Sequence, residues 1–141
     1  MKTFTSFAAA AMLLLAVGTA QADTGALGVW RMNNGKVTVR VANCGPNLCG
    51  TIIALAKPLD KKGRPKVDKD NPNPALRSRP VIGLRILNDM TPAGGNKWQG
   101  SIYNADDGRT YSSTMRLSGN NMKVKGCVLF ICKSLTFTRV N

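Results

Sequence analysis

Apolar and polar residues alternate with a period of two through most of the chain. In KVTVRVAN, residues 36–43, a valine occupies every second position from Val37 to Val41 and polar residues lie between them. This alternation predicts a strand with one buried face, because successive side chains of an extended chain point to opposite sides. Other strand-like segments are LGVWR (27–31), GTIIALA (50–56), VIGLRIL (81–87), KWQGSIYN (97–104), RTYSSTMRL (109–117), NMKVKGCV (121–128) and CKSLTFTRV (132–140).

Short turn signals separate most of these segments. They are Asn33-Asn34-Gly35, Ala93-Gly94-Gly95, Asp106-Asp107-Gly108 and Gly119-Asn120-Asn121. Short strands joined by tight turns favour an antiparallel meander, and closing its sheet would remove the exposed edges. We therefore predict an all-β fold, a single small up-and-down barrel or strongly curled half-barrel of about eight strands. In VIGLRIL we expect Ile82, Leu84 and Ile86 on the buried face.

The first residues are typical of a secretory signal peptide. Lys2 precedes an apolar run that is too short to span a bilayer, and Ala20-Gln21-Ala22 fits a small-x-small cleavage site. We predict cleavage of residues 1–22, leaving residues 23–141 as one β-barrel domain without a transmembrane segment. A bacterial periplasm fits best, and secretion beyond it is the alternative.

The charge is strongly basic, with 20 Lys and Arg against 7 acidic residues, all of them Asp. Such a field favours anionic partners, namely a small anionic ligand or a polyanion of the cell envelope. Nucleic acid is not expected, because no recognition motif accompanies the charge. The chain has no His and no Glu, so the usual general bases are missing. We expect a non-enzymatic protein without cofactor.

Four cysteines form two pairs of equal spacing, Cys44 with Cys49 and Cys127 with Cys132. A zinc site is disfavoured by the oxidising compartment and by the lack of His. A redox site is suggested by Cys-Gly-Pro at residues 44–46, but the following segment is strand-like and supplies no helix N-terminus. We favour two disulfides, each closing a hairpin, with no metal bound.

The second hairpin has an unusually apolar turn, Val128-Leu129-Phe130-Ile131, beside Lys125 and Lys133. An exposed apolar tip flanked by lysines would suit a membrane surface or the pocket of a partner. The alternative, which we favour, is that the tip folds inward and plugs one end of the barrel.

One segment, residues 57–80, interrupts the strand pattern. It contains five prolines and eight basic residues, which exclude a central strand and leave at most one helical turn around Pro74–Ser78. A connection of this length in a small domain is typical of a lid or binding loop, and disorder is the alternative.

Gly28-Val29-Trp30 resembles the Gly-x-Trp signature of lipocalin-type barrels. In that family an Arg from the last strand packs across the Trp, and the resemblance assigns this structural role to Arg139 on Trp30. Most of the chain also resembles domain-of-unknown-function family 2147, a family of small exported bacterial proteins without established activity. The matching motifs are GVWR, LCGTIIAL, DKDNPNPALRSRPVIGLRIL, KWQGSIYNADDGRTYSSTMRL and LTFTRV.

The middle motif of that family directs attention to Asp70, Asn71, Arg77 and Arg79 as candidate ligand-binding residues. Two arginines two residues apart can donate paired hydrogen bonds to phosphate or carboxylate. We hypothesise that they lie on a loop that covers one barrel mouth. The structural alternative is that Asp70 and Asn71 cap a turn while the arginines pair with nearby aspartates such as Asp68. A cell-envelope docking protein is the second functional hypothesis, and an enzyme of unknown class is the third.

Overall fold

The alternating segments pair in chain order around a closed barrel, which the computed structural model describes over residues 24–140. The predicted signal peptide, residues 1–22, lies outside the described residues. A 3-10 helix over Thr24–Ala26 precedes eight antiparallel strands. Their bounds are β1 Gly28–Met32, β2 Val37–Cys44, β3 Asn47–Leu55, β4 Arg85–Pro92, β5 Lys97–Asn104, β6 Arg109–Ser118, β7 Asn121–Val128 and β8 Ile131–Arg139.

Pairing between the first and last strands closes the barrel and confirms the all-β prediction. Trp30 lies opposite Arg139, and Met32 lies opposite Phe137. The half-barrel alternative is therefore excluded. Within residues 24–140, no helix is long and apolar enough to cross a membrane.

The alternation of the strands fills the barrel interior with large apolar side chains. On β7, Met122 and Val124 are buried while Lys123 and Lys125 are exposed. Complete burial of one such apolar side chain stabilises the fold by about 1.5–3 kcal/mol. Interior residues that are at most 2% exposed are Trp30, Val39, Val41, Leu87, Met90, Trp98, Met115, Met122, Val124 and Phe137.

A glycine on the inner face of β3 allows close packing in this interior. Gly50 pairs with Val41 on one side and with Leu87 on the other. A Cβ atom at Gly50 would lie 2.8 Å from Cδ1 of Leu87, so the missing side chain leaves the space that Leu87 occupies.

The fourth strand differs from the sequence prediction. It begins at Arg85 rather than at residue 81, and Ile82 is 43% exposed instead of facing the core. Gly83 has a φ of +98°, which turns the chain before the strand begins. Leu84, Ile86 and Leu87 are all buried, and the pairing of β4 with β3 changes register. Alternation therefore does not hold at the start of this strand.

The cysteines form two disulfides, Cys44–Cys49 and Cys127–Cys132, each across a hairpin turn. The second closes the hairpin whose tip is apolar. The predicted inward folding of that tip is wrong: Leu129 is 89% exposed, Phe130 98% and Ile131 75%. The β7–β8 turn extends beyond the ladder, so its side chains do not reach the interior.

The seam between β1 and β8 is held by Arg139, whose guanidinium carbon lies 4.2 Å from the centroid of the Trp30 ring. Its Nη1 donates to the carbonyl oxygen of Leu27 at 2.9 Å, and its Nη2 donates to that of Gly25. The indole of Trp30 donates to the carbonyl oxygen of Ala26 at 2.9 Å. Together these bonds fasten the N-terminal segment to the barrel.

Candidate functional site

The long loop between β3 and β4 is built from local polar contacts rather than from apolar burial. In its first part, Oδ1 of Asp60 accepts hydrogen bonds from the backbone nitrogens of Lys62 and Arg64. In its second part, a 3-10 helix over Pro74–Leu76 begins at Asn73, whose side chain accepts from the nitrogen of Ala75. This is the single helical turn that the proline content allows.

Asp68 is the centre of a buried polar cluster and is 0% exposed. Its Oδ1 accepts from the hydroxyl of Tyr103 at 2.6 Å, and its Oδ2 accepts from Nδ2 of Asn71 at 2.8 Å. Oδ2 also accepts from Nε of Arg79 at 2.9 Å. The carboxylate is thus bonded on both oxygens and neutralised by one cation. We call Asp68, Asn71, Arg79 and Tyr103 the Asp68 cluster.

The cluster keeps Asp68 ionised. Burial alone would raise the pKa of Asp68, but the hydrogen bonds from Tyr103, Asn71 and Arg79, with the charge of Arg79, lower it below its ordinary value. Burial, and then the hydrogen bond to Asp68 and its charge, raises the pKa of Tyr103. The cluster is therefore a fixed carboxylate with a neutral phenol, an arrangement suited to holding structure and orienting Arg79.

A glycine in the β5–β6 turn lets the loop reach the barrel wall. Gly108 has a φ of +69°, and a Cβ atom there would lie 1.8 Å from the carbonyl oxygen of Asp70. Such a distance is impossible, so only glycine permits this contact. The contact places the loop against the end of β5, where the hydroxyl of Tyr103 donates a hydrogen bond to Asp68.

A pocket of about 380 Å³ lies between the loop and the barrel wall. On β5, Trp98 and Ile102 lie on the same face, which points into the barrel. Tyr103 is the next residue after Ile102, so its side chain points outward. The pocket therefore lies on the outer wall and not over a barrel mouth, which corrects the expected location. Its lining residues are Asn71, Pro72, Arg79, Leu84, Arg85, Asn88, Tyr103, Gly108 and Thr110.

Arg79 presents its charge to this pocket. Its Nε is bonded to Asp68, whereas its two terminal nitrogens form no hydrogen bond with any residue from 24 to 140. The side chain is 38% exposed and lies with its guanidinium carbon 5.7 Å from the ring centroid of Tyr103. Arg85 lines the same pocket and is exposed.

The four candidate ligand-binding residues occupy different environments. Asn71 and Arg79 belong to the Asp68 cluster and line the pocket. Asp70 instead forms an exposed ion pair with Lys69 at 3.1 Å. Arg77 donates from Nε to the carbonyl oxygen of Asn71 at 2.7 Å, so it holds the loop and does not line the pocket.

Sequence reasoning did not identify Tyr103 and assigned Asp68 only as a possible ion-pair acceptor. Tyr103 is the last but one residue of β5 and lies on its polar, outward face, where an aromatic residue breaks the alternation of KWQGSIYN. That break was the available signal of a second layer covering the wall. Leu76 of the middle motif is 37% exposed and contributes nothing to the core.

A second depression of about 420 Å³ lies elsewhere on the outer wall. It includes Arg116 and Lys123, which lie directly opposite each other on β6 and β7. Lys97 lies opposite Arg116 on β5, so three cations form one row across the sheet. In the part of the chain that the structure describes, no three His, Cys, Asp or Glu residues come together as a metal site.

The chain resembles a known bacterial protein family in sequence and a solved structure in fold. A family model described as "uncharacterized protein conserved in bacteria (DUF2147)" matches residues 28–139. A solved structure from the human pathogen Helicobacter pylori, described as a member of the lipocalin family, is similar with a TM-score of 0.71. It is 23% identical, and the match covers 82% of this chain and 83% of that chain. This likeness shows a lipocalin-like barrel fold. No curated protein matches the chain.

Proposed function

The chain belongs to the bacterial family of uncharacterized proteins DUF2147, and from the geometry of the outer pocket we propose that it binds a small anionic ligand there. The ligand carries a phosphate or carboxylate group. The protein acts in the periplasm after export and has no catalytic activity of its own.

The observation that carries the proposal is the hydrogen bonding of the Arg79 guanidinium. Its Nε donates to Asp68, while its two terminal nitrogens form no hydrogen bond with residues 24–140 and can donate a pair of hydrogen bonds to an anion. A buried partner fixes the direction of the side chain, so little conformational entropy is lost on binding.

The surroundings of Arg79 fit an anion. Arg79 and Asp68 form an ion pair without net charge, so Arg85 supplies the net positive charge of the pocket, while Asn88 and Thr110 offer uncharged polar groups. Asp68 is neutralised within its cluster, and Asp107 of the adjacent turn is engaged by the hydroxyl of Tyr111. A volume of about 380 Å³ suits a small molecule and not a polymer.

A non-catalytic role is supported by the state of the only carboxylate in the cluster. A general base needs a pKa near the working pH and a proton within reach, whereas the pKa of Asp68 is lowered and both its oxygens are occupied. Export is supported by the two disulfides, which persist in oxidising compartments.

The test is a thermal-shift titration with inorganic phosphate, glycerol 3-phosphate and citrate at constant ionic strength. A ligand at about 100 times its Kd should add about 2.7 kcal/mol to the free energy of unfolding. Arg85→Gln should lose most of this shift, because a cation of the pocket is removed. The Arg85 side chain forms no hydrogen bond with any residue from 24 to 140, so the fold should be kept.

Arg40→Gln is the matched control, because Arg40 is an exposed cation on β2 outside the pocket. The control should keep the shift of the unmodified protein. Equal losses in both variants would assign the effect to overall charge and contradict the proposal. The absence of any shift with all three anions would contradict it as well.

A further inference from the structure

The β7–β8 hairpin tip is a second functional feature that the outer pocket does not explain. The apolar tip, residues 128–131, exposes Leu129 at 89% and Phe130 at 98% to solvent. Ile131 beside them is 75% exposed. A folded chain seldom leaves several large apolar side chains together at one projecting turn, and such a patch is typical of an interaction site.

The turn carries these residues against local preference. Leu129 has a φ of +54°, a conformation that favours glycine and that few leucines adopt. Polar turn residues such as Asn-Gly would satisfy both the backbone and the solvent at this position. Leu129 and Phe130 reduce stability in two ways, through the strained backbone at Leu129 and through the exposure of two apolar side chains. The strain and the exposed patch lie at the same turn.

The charges around the tip specify the kind of partner. Lys125 and Lys133 flank it, and no acidic residue follows Asp107 in the chain. The antiparallel topology also brings the β3–β4 loop to this end of the barrel, with exposed Lys61 and Lys62. The acidic groups of this loop are each paired with a cation: Asp60 with Arg64, Asp68 with Arg79 and Asp70 with Lys69. The β5–β6 turn at the same end adds Asp106 and Asp107.

We propose that the apolar tip inserts into the headgroup region of an anionic phospholipid bilayer, with Lys125 and Lys133 bound to lipid phosphates. A projecting pair of apolar side chains fits the soft interface of a bilayer, since lipid acyl chains supply the apolar contact that the protein lacks there. Surrounding lysines add attraction for an anionic surface, and this attraction weakens with salt. The Cys127–Cys132 disulfide lies directly behind the tip and holds its two strands together.

The test uses flotation of the purified protein with vesicles of phosphatidylglycerol and phosphatidylethanolamine, and with vesicles of phosphatidylcholine alone. Binding is expected only to the anionic vesicles and should fall as salt is raised. The double variant Leu129→Ser/Phe130→Ser should bind at least about tenfold more weakly, because two apolar side chains no longer enter the bilayer.

A matched control is Leu59→Ser, which removes a half-exposed leucine from the β3–β4 loop at 51% exposure. It should bind anionic vesicles like the unmodified protein. A Phe130→Trp variant should show a blue shift of its fluorescence with anionic vesicles, since the native Trp30 and Trp98 are already buried.

Three outcomes would overturn the proposal. One is no binding to anionic vesicles at low salt. Another is equal binding by the double serine variant, which would assign binding to the row of cations Lys97, Arg116 and Lys123 on the outer wall. The third is a concentration-dependent dimer that the serine variant abolishes without any vesicle binding, which would assign the tip to a second copy of this chain.

Discussion

A single buried carboxylate organises the candidate site at the scale of residues. Asp68 is 0% exposed and receives hydrogen bonds from Tyr103, Asn71 and Arg79. These donors come from a loop and from a strand that are distant in sequence. A buried charge is costly unless it is paired and fully bonded, so the loop gains its fixed position from satisfying this one group. The orientation of Arg79 toward the pocket follows from the same requirement.

The first prediction concerns Asp68→Asn. At neutral pH the variant should lose about 2 kcal/mol of unfolding free energy, because Arg79 and Tyr103 keep their positions but lose a charged acceptor. Asp70→Asn is the control, since its ion pair with Lys69 is exposed and is expected to contribute less than about 1 kcal/mol. Urea unfolding of both variants and the unmodified protein measures the difference.

The same variant tests the pKa of Asp68, which lies below its ordinary 3.8 in the folded protein. A lowered pKa means that the folded state prefers the carboxylate, so its stabilisation is complete above pH 3.8 and disappears as the pH falls through the folded value. The stability gap to Asp68→Asn should therefore narrow below about pH 4. Asp60 also has a lowered pKa, but it is present in both proteins, so its contribution cancels in the difference between their free energies of unfolding. A gap that stays constant down to pH 2 would contradict the cluster.

At the scale of elements, the strands could be predicted because alternation is a local property of the chain. Seven of the strand-like segments lie on strands at nearly the expected places, as in β6 and β7. The strand predicted for VIGLRIL begins too early, because Gly83 turns the chain and Leu84 is buried outside the strand. The position of the long loop could not be predicted, because it depends on a contact between Asp70 and Gly108 that leaves no periodic signal in either segment.

That contact leads to the second prediction, for Gly108→Ala. A Cβ atom would collide with the carbonyl oxygen of Asp70, so the loop should move away from the wall and the Asp68 cluster should open. The expected loss is about 3 kcal/mol of unfolding free energy. The loop displacement should also abolish any anion-dependent thermal shift, because Arg79 then loses its partner.

Gly35→Ala separates the clash from backbone strain. Gly35 has a similar φ of +74°, but a Cβ atom there meets nothing within 4 Å. Its expected loss is therefore only about 1 kcal/mol, from the left-handed conformation alone. Equal losses in the two variants would show that the loop does not depend on the absence of a side chain at Gly108.

At the scale of the whole molecule, closure of the barrel is a long-range event that the segments do not specify individually. The first and last strands meet over only three residue pairs, from Trp30–Arg139 to Met32–Phe137. The Gly-x-Trp resemblance indicated this meeting of Trp30 with Arg139, whereas alternation alone allowed an open half-barrel. The filled interior was also beyond prediction, because it depends on strand stagger and on gaps such as the one at Gly50.

The β1–β8 seam extends over three residue pairs and the β5–β6 pairing over eight, so the seam should open before β5–β6, and Arg139→Lys tests this. Lysine keeps the charge but cannot stack as a plane on Trp30 while donating to the carbonyl oxygens of Leu27 and Gly25. We expect a loss of about 1–2 kcal/mol and faster hydrogen exchange in β1 than in β5 or β6. Arg116→Lys, on the outer wall, should change the free energy of unfolding by less than about 0.5 kcal/mol. Uniformly faster exchange in all strands would mean that the barrel opens as one unit and that Arg139 does not control its closure.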